Sequence, residues 1–480
     1  MQATGSLPQR SLITEADEAA AKRWVLALAS AASFIVVLDA MIVATALAAI
    51  RRDLDASIEA LEWTVNAYNL SFAVLLLTGA VLGDRLGRRR MFGLGLALFI
   101  AASVACALAP NVYALVAARA AQGAGGALVM PLAMALLSTA YAPQERAKAL
   151  GLYSGIIGLA LIAGPLLGGA VVEGLSWQWI FWVNLPLGAV VIPLIRTRIA
   201  ESFGASARID LAGIVLVTGA AFAVVWGLMR GDHVGWAAAE TLVAFALGLV
   251  LAIAFVAFEL RTGQPMVPMG FFRSRAFSSA VGASFLFYAA MYGVLFLLPQ
   301  FLQTGEGYGP FAAGLRLLPW TATLFVVAPL AGSLTNRFGE RSLVVVGLVL
   351  QAAGMAWIGL ISRPDLPYGG LVLPLIITGS GVSMAMPAAQ NAALGAVARS
   401  EIGKASGIFN MFRFLGGVSG VALLVAAFST SGGLASPAAF SDGFGRAIAV
   451  AALLSLAGAV VGLWLPGKGA RLGLAAEASA

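Results

Sequence analysis

The sequence predicts an all-α integral membrane protein with fourteen spans, built as two six-helix bundles plus two extra central helices. Three observations carry this. First, of 480 residues 60% are hydrophobic and 11% charged, with a mean hydropathy of +0.94. A soluble chain carries about a quarter charged residues and roughly half apolar ones. Second, the apolar residues form runs of about 20, apolar on every face, the length a helix needs to cross hydrocarbon; barrel strands would alternate over about 10 residues. Third, the second half of the chain repeats features of the first.

Residues 1–23 are polar, include Glu15, Asp17 and Glu18, and are expected to be a cytosolic tail. The run 24–50 is far longer than a signal core of about 7–15 residues, so it reads as the first span. It contains Asp39, the one charged residue between Arg23 and Arg51. Runs at 61–82, 91–110, 113–140, 149–171 and 178–195 complete an N-terminal half over 24–200. The third and fourth are divided only by "APN" (Ala109–Asn111), whose proline and asparagine favour a tight hairpin. Runs at 210–229 and 239–260 form an inserted pair within 207–262. Six more, at 276–301, 312–334, 342–361, 368–396, 405–428 and 445–465, form a C-terminal half over 276–465. Residues 466–480 are expected to be a second cytosolic tail.

The repeat sets the two halves in register. "ERAKALG" (Glu145–Gly151) returns as "EIGKASG" (Glu401–Gly407), and Gly123, Gly125, Met130, Pro131 and Gly164 meet Gly379, Gly381, Met386, Pro387 and Gly420. "LGDRLGRRR" returns as "LTNRFGERS", with Asp84 opposite Asn336. Parallel halves related by an axis along the membrane normal form a transporter architecture, with the substrate site at their interface. Orientation follows from the 29 Lys and Arg. With the N-terminus inside, 21 fall in cytoplasmic segments, 5 in outer ones, and Arg119, Arg316 and Arg413 within spans. By the positive-inside rule both termini are cytoplasmic and the chain is a multi-pass protein of the cell membrane.

Several function classes fall away. Most of the basic residues sit in short clusters between spans, so the net charge of +7 is no sign of nucleic acid. The single cysteine, Cys106, and single histidine, His233, leave no disulfide framework, His relay or multi-His metal site. No P-loop is present. A lipid-acting enzyme would need clustered ligands or a nucleophile–base pair, and scattered acids do not supply them. No cofactor is expected.

At this point the chain resembles the major facilitator superfamily, and within it the fourteen-span drug:proton antiporters. "LGDRLGRRR" (Leu82–Arg90) is similar to the loop motif between spans 2 and 3. "RAAQGAGGA" (Arg119–Ala127) resembles the span-4 motif, and "GLYSGIIGLALIAGPLLGG" (Gly151–Gly169) the antiporter motif of span 5. "WQWIFWVNLPLG" (Trp177–Gly188) and "DLAGIVL" (Asp210–Leu216) resemble stretches particular to the fourteen-span branch. There are departures: Ala80 and Ala160 replace glycines. In span 1 Met41, Ala44 and Ala48 stand where threonine, asparagine and proline are usual, while Leu38 and Asp39 match.

Asp39 lies close to mid-membrane, where a charge costs a few kcal/mol or more unless it faces protein or water. A carboxyl whose protonation depends on hydration and on a nearby cation suits proton coupling. Arg119 is its natural partner, and in the superfamily fold spans 1 and 4 both border the central cavity. Gln122, Gly123 and Met130 share a helix face with Arg119. The resemblance implies a cytoplasmic latch from Asp84, Arg85, Gly87 and Arg88. It also implies a sealed contact between halves from Gly151, Gly164, Pro165, Gly168 and Gly169, whose small residues let helices approach closely. Tyr288 and Tyr292, beside Phe285 and Phe287, with Met384, Met386 and Arg413, are candidate cavity lining in the second half.

The expected function is therefore proton-coupled export of small amphipathic compounds by alternating access, by a chain acting as a monomer in the bilayer. Export of an endogenous metabolite, or proton symport by the same fold, are alternatives. A membrane-embedded enzyme and a transporter-like receptor are more remote. Spans 9–14 hold no acid well inside them, so a dicationic substrate is disfavoured against neutral, monocationic or anionic ones.

Overall fold

The computed structural model describes residues 15–204, 210–263, 265–398, 401–430, 433 and 436–467. Arg10, Arg208, Arg399, Lys468 and Arg471, counted above, lie outside the described residues, as do most of both tails and the side chains of His233 and Asn336.

Among the described residues, fourteen helices are long and apolar enough to cross a membrane, and they match the fourteen expected runs. Spans 1–6 are Glu18–Leu54, Ile58–Leu86, Arg88–Ala107, Val112–Ala140, Lys148–Gly174 and Trp179–Arg198. Spans 7 and 8 are Leu211–Leu228 and Ala239–Arg261. Spans 9–14 are Arg275–Gly305, Pro310–Gly332, Glu340–Ile361, Gly369–Leu394, Ile402–Ser429 and Pro437–Gly462. The first helix begins earlier than its apolar run, at Glu15, because alanines and charged residues before Trp24 are good helix formers. Span 10 is broken at Leu317 and Ala322 into three pieces. Pro319 lacks the N–H that would continue the ladder.

Contacts repeat between halves as the sequence does. Gly125 of span 4 meets the backbone of span 3 at Gly95, and Gly381 of span 12 meets that of span 11 at Gly347. Gly123 abuts the Tyr68 backbone of span 2, and Gly379 that of Trp320 in span 10. Gly87 and Gly339, after spans 2 and 10, both turn the chain with positive φ, 105° and 80°, a conformation glycine adopts without Cβ strain. Spans 7 and 8 form a hairpin whose first helix packs on spans 2 and 13, the seam between halves. Trp63 of span 2 anchors it, 5.5 Å from the Phe222 ring and 6.4 Å from Trp226.

The halves meet through spans 2 and 13 and through the ends of spans 1, 5, 9 and 10 that lie away from the basic face. Gly169 lies on Pro310 and Phe311, and Gly314 on the Pro165 carbonyl. Gln303 Nε2 donates to Thr45 O at 2.9 Å, and the Phe311 N–H to Glu173 at 2.9 Å. On the basic face spans 5 and 10 part. A Cβ at Gly151, Gly155, Gly158 or Gly332 would meet nothing within 4 Å, and the inner portion of span 10 packs on spans 11 and 12 of its own half.

Candidate functional site

Glycine brings the site together. Gly123 lets span 4 close on span 2, and Gly126 does the same against Phe72 and Val36 of spans 2 and 1. This carries the face bearing Arg119 and Gln122 to Asp39, and Asp39, Arg119 and Gln122 are each at most 1% exposed.

Arg119 Nη1 donates to Asp39 Oδ2 at 2.5 Å and to Gln122 Oε1 at 2.7 Å. Its Nε donates to the Thr64 carbonyl at 3.2 Å, and its guanidinium carbon lies 4.2 Å from the Tyr68 ring centroid. The other carboxylate oxygen, Asp39 Oδ1, accepts from Gln122 Nε2 at 2.8 Å and Asn184 Nδ2 at 3.1 Å. Asn184 also donates to Ser103 Oγ at 2.8 Å, and Ser103 in turn donates to the Phe181 carbonyl at 3.1 Å. Two unlike charges out of water cost several kcal/mol each unless their remaining lone pairs and protons are also satisfied. Here five spans (1, 2, 3, 4 and 6) supply that satisfaction. Every contact to Asp39 is a donor, so the carboxylate acts as acceptor only. A proton arriving there weakens the hold of those donors by removing the charge they point at.

Arg119 is also on the wall of a small cavity between the halves, lined with Met41, Thr45, Tyr68, Tyr292 and Leu317 among others. Its volume is about 30 Å³, room for about one water. Asp39 itself does not line this cavity.

The remaining expected site residues fall in different places. Gln122 is not cavity lining: it caps Asp39, because its position one turn after Arg119 points it at the same carboxylate. Gly123 likewise faces span 2 rather than a cavity. Met130, Met384 and Met386 are partly buried in packing. Tyr292 lines the cavity, and Tyr288 is buried beside it, their rings 6.1 Å apart. Arg413 lies 4.7 Å from the Tyr288 ring centroid.

In span 5, Gly169 and Pro165 meet the other half, whereas Gly164 and Gly168 pack on Met41, Ile42 and Thr45 of span 1. Gly151 faces open space in this conformation. Asp84 pairs within its own half: Arg88 Nε donates to Asp84 Oδ1 at 2.7 Å and Arg88 Nη1 to Thr139 at 2.8 Å. The Gly204 N–H reaches the Asp84 carbonyl at 3.0 Å. Arg85 is exposed and enters no ion pair among the described residues. Glu201, unforeseen, gathers the loop by accepting from the Arg89 N–H at 2.9 Å and pairing with Arg89 and Arg90 at 3.6 and 3.7 Å.

Asn184 and Ser103 were also unforeseen, since uncharged polar residues are common in membrane helices; the one signal was Asn184's position within "WQWIFWVNLPLG". Glu62, one turn into span 2, is a further buried acid, accepting from Asn66 at 3.1 Å.

Two related six-helix bundles enclosing a buried ion pair define a polytopic membrane transporter fold. A profile of the Major Facilitator Superfamily matches residues 29–421, and the chain belongs to that superfamily. It is 36% identical to the multidrug resistance protein Stp of Mycobacterium tuberculosis (strain CDC 1551 / Oshkosh) over 393 residues, 82% of this chain and 73% of that one. It is 36% identical over 405 residues to the tetracenomycin C resistance and export protein of Streptomyces glaucescens, 84% and 75% of the two chains. The backbone matches a crystal structure of the peptide transporter POT in complex with sulfate, with a TM-score of 0.68 over 92% and 95% of the two chains. At 18% identity that likeness concerns the fold alone.

Proposed function

We propose that this chain is a proton-coupled antiporter that exports small amphipathic compounds from the cytoplasm by alternating access, working as a monomer with both termini inside. The observation that carries the reading is the closed Asp39–Arg119 pair, whose arginine stands on the wall of the inter-half cavity. Protonation of Asp39 removes the acceptor that holds Arg119 in place. The freed guanidinium then turns into the cavity, where the two halves meet. Deprotonation draws it back. A proton and a substrate therefore compete for one arrangement of the cavity, which is what exchange requires. The named exporters and resistance proteins among its relatives support the direction of transport.

The contact of Gly169 and Pro165 with span 10 fits a seal that forbids a free proton path on the outer side. A bridging role of Asp84 and Arg88 between halves belongs to the alternate conformation, in which the basic face closes. The test is reconstitution into liposomes holding a pH indicator, with an imposed proton gradient and a set of neutral, cationic and anionic amphiphiles. Substrate-dependent proton flux is expected, and it is absent from Asp39→Asn. Substrate movement without any proton flux overturns the reading.

A further inference from the structure

The C-terminal half contains a mid-helix cation with no counter-charge among the described residues. Arg413 lies near the middle of span 13 and enters none of the ion pairs among the described residues. Its Nε is buried without a hydrogen-bond partner. Its contacts are a hydrogen bond with the Tyr292 side chain and two aromatic faces: the guanidinium carbon lies 4.7 Å from the Tyr288 ring centroid and 5.3 Å from that of Phe414. From there rings continue across the seam. Tyr288 is 6.1 Å from Tyr292, Tyr292 is 6.2 Å from Phe414, and Phe414 is 4.3 Å from Phe72 of the other half. Tyr292 forms part of the wall of the inter-half cavity, opposite Arg119.

The comparison with Arg119 is the argument. Both arginines sit on a tyrosine face, at 4.2 and 4.7 Å, and a cation over an aromatic ring gains about 0.5–2 kcal/mol. That is less than the cost of an embedded charge. Arg119 makes up the difference with a carboxylate, whereas Arg413 has only a hydrogen bond to Tyr292, so Nε and the N–H groups that Tyr292 does not engage are left for an oxygen acid that the described residues do not supply. A guanidinium holds a carboxylate or similar delocalised oxyanion through two parallel hydrogen bonds, and the neighbouring rings offer a flat apolar surface.

We propose that Arg413, with Tyr288, Tyr292 and Phe414, forms the subsite for the acidic group of the transported compound, which is a flat aromatic amphiphile bearing a carboxylate or related oxyanion. This rests on the export reading for its physiological meaning. Its test uses binding, so that the two fail separately.

Purified full-length protein in detergent is titrated calorimetrically at neutral pH with three matched probes: 2-naphthoate, 2-naphthamide and 2-naphthylmethylammonium. The carboxylate binds about tenfold more tightly than the amide, as one added charge-assisted contact implies, and the ammonium binds most weakly. Arg413→Gln removes the preference for the carboxylate while leaving amide affinity and the thermal melting profile in place. Arg413→Lys retains part of the preference. Equal binding of carboxylate and amide to the native protein, no binding of any probe, a preference that survives Arg413→Gln, or equal loss of all probes overturns the proposal. Failure of proton coupling in liposomes, with the binding preference intact, counts against the antiport reading alone.

Discussion

Replacing Asp39 with asparagine is the sharpest perturbation of the site, because it keeps the shape and removes the charge. Asparagine offers one acceptor oxygen and one NH₂ donor. If the oxygen faces Arg119 Nη1, the NH₂ meets Gln122 Nε2 and Asn184 Nδ2, which already point at Oδ1 as donors. Turning the Gln122 amide relieves that clash only by directing its NH₂ at Arg119, which now receives nothing from its Oε1. No arrangement of the amides satisfies every group. Removing one member of a buried pair costs about 3–5 kcal/mol, and an unsatisfied buried donor adds about 1–3 kcal/mol. Asp39→Asn is therefore expected to lose at least about 3 kcal/mol of stability. Arg119→Gln loses a similar amount. The double variant loses less than the sum by about 2 kcal/mol or more, as directly paired groups do. Unfolding free energies from SDS titration in mixed micelles measure the cycle, and liposome assays record proton-driven transport beside it. Additive losses, or full proton-driven export by Asp39→Asn, refute the reasoning.

Four further outcomes follow from the geometry. Gly169→Val puts a side chain into the Pro310 carbonyl and the Phe311 backbone, so proton leak through liposomes rises and coupled transport falls. Gly151→Ala, at a position with open space, leaves the leak unchanged while the basic face is open. Asn184→Ala removes a donor shared by Asp39 and Ser103 and lowers proton-driven transport about tenfold, the effect of roughly 1.4 kcal/mol, with membrane insertion retained. The Lys22 ammonium, 2.9 Å from Glu145, holds the Glu145 carboxyl below its ordinary value of 4.5. A depressed carboxylate contributes above its unfolded value and loses that contribution as pH falls through the folded one. Amide protection across residues 18–24, corrected for the intrinsic pH dependence of exchange, is thus flat between pH 7 and 5 and falls only on stronger acidification.

Much of the architecture was legible because the bilayer admits few solutions. A run of about 20 apolar residues has to be a helix, so all fourteen spans could be counted from hydropathy, and the glycines matched by the repeat meet equivalent backbones in the two halves. The Asp39–Arg119 contact was legible for a related reason. An embedded charge needs a partner, and the first half offers one deep acid and one mid-span arginine. What the sequence concealed depends on rotation about helix axes. Gln122 shares a face with Arg119, but whether that face meets the cavity or Asp39 is fixed by the close approach at Gly123 and Gly126. Asn184 and Ser103 are too ordinary to stand out in a membrane helix. The docking of spans 7 and 8 at the seam was hidden because a hairpin apolar all round does not disclose which side meets protein. Glu201 lies in a connector, where an acid is unremarkable until the Arg89 and Arg90 side chains converge on it.

On the antiport reading and the Arg413 subsite proposed above, the two embedded arginines divide the work unequally between the halves. Arg119 has its acid within its own bundle, so in that proposal its state answers to a proton. Arg413 pairs with rings and with no acid among the described residues, so in that proposal its state answers to whatever enters between the halves. Phe72 and Phe414, 4.3 Å apart across the seam, stand between these two stations, flanked by Tyr68 and Tyr292. In the proposed alternating-access cycle, a change at either guanidinium would be felt at the seam between the bundles. Coupling of this kind needs no acid in the C-terminal half. One would neutralise Arg413 in every conformation and leave the cavity without a group able to distinguish the loaded from the empty state.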